Sequence, residues 1–177
     1  ENAKEWYRKA ANMGNFWASM KLAELGVADQ MNHVGDCYYH GTAERQGDED
    51  FRAEAYRWYM KAAEQGYEWG YFNVGKCYRE GIGVEQDLEN AKEWYRKAAN
   101  MGNFWASMKL AELGVADQMN HVGDCYYHGT AEREGEEDFR AEAYRWYMKA
   151  AEQGYEWGYF NVGKCYSEGI GIEQDLE

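Results

Sequence analysis

The chain has 177 residues, a formal charge of −13 and an isoelectric point near 4.8, with 32 Asp and Glu against 19 Lys and Arg. That balance argues against a phosphate-backbone partner, since nucleic-acid binding rests on clustered cations that release counterions, and it repels an anionic membrane surface. No apolar run approaches the roughly 18 residues that span a bilayer and no secretory signal is visible, while the lack of Pro beside abundant Ala, Glu and Lys favours helix.

Residues 1–89 recur as residues 89–177 at an offset of 88, with four differences: Gln46/Glu134, Asp48/Glu136, Arg79/Ser167 and Val84/Ile172. The fold question therefore concerns one unit read twice, unit one 1–88 and unit two 89–176, with residue 177 beginning a further unit of one continuous array. Glu1, Glu89 and Glu177 share one phase, so the chain reads as a window on a longer array. Inside the unit, the segment from Ala55 to Gly66 aligns with Ala91 to Gly102 at an offset of 36. Each unit thus holds two helix pairs, one compact and one enlarged.

From Asn2 to Met13, Ala3, Trp6, Tyr7, Ala10 and Ala11 fall on one helical face, and Gly14 supplies a stop. This is the second, or B, helix of a pair. Phe16, Met20, Ala23, Val27, Met31, Val34 and Tyr38 then form an unbroken stripe, which predicts a single A helix of about 25 residues with Gly26 tolerated inside it; a break at Gly26 is the alternative, because an interior Gly costs about 1 kcal/mol relative to Ala. Further B helices start near Phe51, Leu88 and Phe139, each behind an acidic cap: Asp50, Asp87 and Asp138. A compact A helix is predicted from Glu68 to Arg79, with Phe72, Val74, Gly75 and Tyr78 inward and Gly81 at its end. Trp6, Trp58, Trp94 and Trp146 occupy equivalent places and are expected to be buried on successive B helices.

The run from Val74 to Gly102, with Gly75, Tyr78, Gly81, Gly83, Ala91, Trp94, Tyr95, Lys97, Ala98 and Ala99 in place, resembles a Sel1-like repeat, a relative of the tetratricopeptide repeat. The enlarged pair keeps Gly35, Tyr38, Gly41, Ala55, Trp58, Tyr59, Lys61, Ala62, Ala63 and Gly66, but is longer in its A helix and loop. The resemblance covers the whole chain and implies an all-α, right-handed α-solenoid that serves as a protein-interaction scaffold. It also assigns the glycines of Gly81-Ile82-Gly83 to the turn between A and B helices.

The sharpest chemical constellation is His33, Cys37 and His40, repeated as His121, Cys125 and His128, because i, i+4 and i+7 share a helical face and imidazole plus thiolate suit zinc or copper, with Asp36 nearby as a further candidate ligand. Cys77 stands at the equivalent place without any His, so the cysteine is read as a packing residue and no metal is expected. All four cysteines, Cys37, Cys77, Cys125 and Cys165, are expected to be free buried thiols, because neighbouring helices about 8–10 Å apart are too distant for a disulfide. The acidic loops Gly47 to Asp50 and Gly135 to Asp138 offer oxygen ligands for calcium but lack EF-hand spacing, and read as solvated loops. Ser19, Thr42, Ser107, Thr130 and Ser167 lie in no nucleophile-elbow context, so no catalytic residue and no cofactor is expected. The expectation is a non-catalytic structural repeat protein whose copies stack head to tail into an array or filament. The alternative is an adaptor scaffold binding another protein or peptide on a concave face; neither reading involves nucleic acid or membrane insertion.

Overall fold

The computed structural model describes residues 2–44, 50–132 and 138–175, among which it has ten α-helices and no strand. The chain divides into two compact units, Glu1–Met101 and Gly102–Glu177. The first holds α1 (Ala3–Asn12), α2 (Phe16–Glu24), α3 (Ala28–Tyr39), α4 (Phe51–Glu64), α5 (Glu68–Glu80) and α6 (Leu88–Asn100). Each helix packs against its neighbours in the chain, and α3 also touches α5.

Helix starts follow the capping residues. Asn2, Asn15, Asp50 and Asp87 accept backbone N–H groups of the first turns of α1, α2, α4 and α6, satisfying donors that have no partner inside the helix. At its other end α5 stops at Gly81, which adopts φ +68, a left-handed conformation open to Gly at little cost.

The long helix expected from Phe16 to Tyr38 is instead two helices. Gly26 takes φ +84, its N–H donates to the Ala23 carbonyl, and the Val27 N–H donates to the Leu22 carbonyl at 3.1 Å. This is a Schellman closure, and it ends α2. The apolar stripe runs through the turn because Phe16 and Ala23 of α2 and Met31, Val34 and Tyr38 of α3 enter the same core. Continuous spacing therefore reported a shared core, and the backbone preference of one glycine decided the helix count.

Packing in the first unit turns on a repeated close approach of A and B helices. A Cβ built on Gly35 would lie 2.6 Å from the Tyr59 ring, and one on Gly75 would lie 2.8 Å from the Tyr95 ring. Each glycine is a socket that lets a tyrosine ring lie directly on the backbone of the facing helix. Tyr59 and Tyr95 are accordingly buried, among the largest fully buried side chains of the protein.

The four equivalent tryptophans are not equally buried, a correction to the sequence expectation. Trp58 and Trp146 are in the core, Trp94 is half-buried against Tyr71, and Trp6 is 59% exposed. Burial of the B-helix face depends on which helix lies over it. In α6 that face is covered by α5, whereas α1 has no buried residue.

The second unit holds α7 (Phe104–Glu112), α8 (Ala116–Tyr127), α9 (Phe139–Glu152) and α10 (Glu156–Glu168). Asn103 and Asp138 cap α7 and α9, and the Gly123 socket receives Tyr147 with a would-be Cβ contact of 2.6 Å. Its core gathers Phe104, Met119, Val122, Tyr126, Trp146 and Tyr147. Among the described residues, no helix is long and apolar enough to cross a membrane.

Candidate interaction surface

On α3, one helical turn brings the Cys37 thiol within 3.7 Å of His33 Nε2, and α8 repeats this with Cys125 and His121 at the same distance. His40 and His128 instead sit at the C-terminal caps, edge-on to the rings of Tyr39 and Tyr127. Two of the three residues singled out in each unit therefore meet. Among the described residues no three of His, Cys, Asp and Glu converge on a metal position. Of the acidic loops, Gly47 to Glu49 and Gly135 to Glu137 lie outside the described residues, while Asp50 and Asp138 are helix caps.

Beside this pair runs a polar network absent from the sequence reading. The Tyr59 hydroxyl donates to Asp36 Oδ1 at 2.8 Å, Asn32 Nδ2 donates to Asp36 Oδ2 at 3.2 Å, and Asn73 of α5 donates to Asn32 Oδ1 at 2.9 Å. The second unit repeats it with Tyr147, Asp124, Asn120 and Asn161. Burial raises the Asp36 carboxyl above its ordinary pKa, a rise opposed by the Tyr59 hydrogen bond. The network ties α3, α4 and α5 together and leaves its carboxylate fully partnered, which suits a structural role.

The Gly81-Ile82-Gly83 segment is a packing turn. A Cβ on Gly83 would fall 2.2 Å from the Arg52 carbonyl oxygen, and the Asp87 N–H donates to the Tyr78 carbonyl at 2.9 Å. The loop thus lies on the start of α4 and delivers Asp87 as the cap of α6.

All four cysteines are free; Cys77 and Cys165 are buried, whereas Cys37 and Cys125 are only half-buried, contrary to the uniform burial expected from the sequence. They lie on the side of α3 and α8 that also carries the histidines. Burial pushes the Cys77 thiol up to about 12 and the Cys165 thiol up to about 11. It also raises the Tyr59 and Tyr147 phenols well above their ordinary range. These groups lose protons in the unfolded chain near 9.0 and 10.0, before they do in the folded one. Their contribution is fully present below the unfolded values and is lost as pH rises toward the folded ones. The thermal midpoint is therefore expected to fall steadily between about pH 9 and pH 12; a midpoint flat across that window would contradict the burial of these groups.

An exposed apolar surface lies on α10. Trp157, Tyr159 and Phe160 are each more than half exposed. Two grooves cross it, one lined by Glu156, Trp157 and Phe160, the other by Tyr159, Phe160, Gly163, Lys164, Ser167 and Glu168. Their counterparts in α5 are covered: Tyr71 stacks on Trp94 with ring centroids 5.9 Å apart, and Phe72 meets Tyr95 at 5.5 Å.

The Sel1 repeat family model matches residues 1–15, 30–67, 70–103, 118–155 and 158–177. The chain belongs to the Sel1 repeat family. Sel1 repeats are in general scaffolds for protein–protein interaction. The matched segments leave out 16–29 and 104–117, the stretches that hold α2 and α7, so these helices are additions to the repeat pattern. Among solved structures, a Sel1 repeat protein from Oxalobacter formigenes is 23% identical, with a TM-score of 0.55 over 97% of this chain and 78% of that one. That likeness supports the helix-pair solenoid fold. A protective antigen of uropathogenic Escherichia coli, c5321, which displays an SLR fold, is 24% identical over 98% of this chain and 46% of its own, with a TM-score of 0.42.

Proposed function

We propose that this chain is a non-catalytic structural scaffold whose 88-residue units form one continuous solenoid and whose copies associate head to tail into an array. The observation that carries the reading is the recurrence of residues 1–89 as residues 89–177 with four differences, on a Sel1 repeat pattern that runs along the chain. A contact between two different surfaces of the same chain is heterologous, and when its rotation does not close it generates an open filament. The near-identity of the two sequence units supports this reading, because a structural repeat needs the same contact many times, whereas a surface tuned to one foreign partner would differ from repeat to repeat.

Negative-stain imaging over rising protein concentration tests the proposal. Elongated assemblies that lengthen with concentration are the expected result. Discrete particles of constant size at every concentration would contradict it and leave the adaptor reading, in which a concave face of the solenoid receives a different protein or peptide.

A further inference from the structure

We infer that His33 and Cys37 of α3 form a two-donor surface site for a thiophilic divalent cation, with zinc as its probe, and that His121 and Cys125 of α8 form a second. Neither site depends on head-to-tail association.

Cysteine recurs at one equivalent place in α3, α5, α8 and α10, but only α3 and α8 carry a histidine one turn before it. Before Cys77 and Cys165 that place belongs to Asn73 and Asn161, which are tied into the polar network by bonds to Asn32 and Asn120. Cys77 and Cys165 are buried, whereas Cys37 and Cys125 are half-buried beside exposed histidines. Packing accounts for a cysteine at this place. It does not account for an exposed imidazole in contact with the thiol.

The separation of 3.7 Å between sulfur and Nε2 in both pairs suits a shared ion. With zinc ~2.3 Å from sulfur and ~2.0–2.1 Å from nitrogen, it sets the two donors about 115° apart at the metal, near the tetrahedral angle. Donors at i and i+4 on one helical face are a recurrent means of holding zinc. The backbone N–H and the hydroxyl of Thr42 both donate to the Cys37 carbonyl, at 2.8 and 3.3 Å, and so hold the turn that carries the thiol. Asp36 is engaged by Tyr59 and Asn32, and His40 packs edge-on to Tyr39 at the helix cap, so the protein supplies two donors and water completes the coordination. On binding, the thiol gives its proton to solvent and ligates as thiolate beside a neutral imidazole. The result is an open, exchangeable site on a surface that is folded without it.

The test uses the whole reduced chain, with zinc followed by calorimetry and cobalt(II) by absorption. A thiolate-to-cobalt charge-transfer band reports sulfur ligation, which the many surface carboxylates do not produce. Two ions per chain and a clear band are expected. Cys37→Ser with Cys125→Ser should abolish the band although Cys77 and Cys165 remain. His33→Gln with His121→Gln, at exposed positions, should retain full helicity by circular dichroism yet bind at least ~10-fold more weakly, since loss of even an outer partner of a metal ligand costs about 10–100-fold. Absence of the band in the parent chain, its persistence in the serine variant, or unaltered affinity in the glutamine variant would each overturn the proposal.

Discussion

Replacing Tyr59 with Ala is expected to cost about 3–5 kcal/mol of folding stability, the range for removing a large buried ring and leaving a cavity. The ring lies on the backbone of α3 at Gly35, with 2% of its surface exposed, and its hydroxyl is a donor to Asp36. Truncation therefore removes the contact that sets the spacing of α3 and α4, and it leaves a desolvated carboxylate with one donor fewer. Tyr59→Phe separates the two effects. It retains the ring and is expected to lose about 1–3 kcal/mol, the cost of an unmet buried hydrogen bond. Urea denaturation of both variants measures this, and a loss below about 1 kcal/mol for Tyr59→Ala would contradict the placement of the ring.

The second large effect is a graded one. Trp58→Ala is expected to cost about 3–5 kcal/mol because the indole is in the core, Trp94→Ala less because that ring is half-buried, and Trp6→Ala within about 0.5 kcal/mol in dilute solution because that ring is exposed. All three carry the same Lys three residues on, stacked on the ring at 3.7 to 4.2 Å, so the cation–π contact does not distinguish them. The difference lies in the helix above. Equal losses at the three positions in urea denaturation would show that burial does not govern them.

These predictions mark what the sequence made legible. The B helices and their acidic caps were readable because spacing and capping are local properties, and the end of α5 at Gly81 was readable for the same reason. The split between α2 and α3 was legible only as the second reading, a break at Gly26, since Phe16 through Tyr38 keep one apolar rhythm across two helices that share a core. Equal burial of Trp6 and Trp94 was expected from equal sequence, yet burial is set by the covering helix and not by the residue. The Asp36 to Tyr59 bond joins residues far apart in the chain, and nothing in the spacing of either marks the other. The glycine sockets did leave a signal, a Gly in each A helix followed at a set place by a Tyr in the next B helix, but its meaning needed the close approach seen between Gly75 and Tyr95.

Hydrogen exchange at increasing protein concentration tests head-to-tail association most directly, because it reports which helices become covered when copies meet. Slower exchange with concentration is predicted for the amides of α1 and α10 together, with α3, α4 and α5 unchanged, since their faces are already covered within one copy. Exchange that is independent of concentration in α1 and α10, or protection that arises on other helices instead, would contradict it.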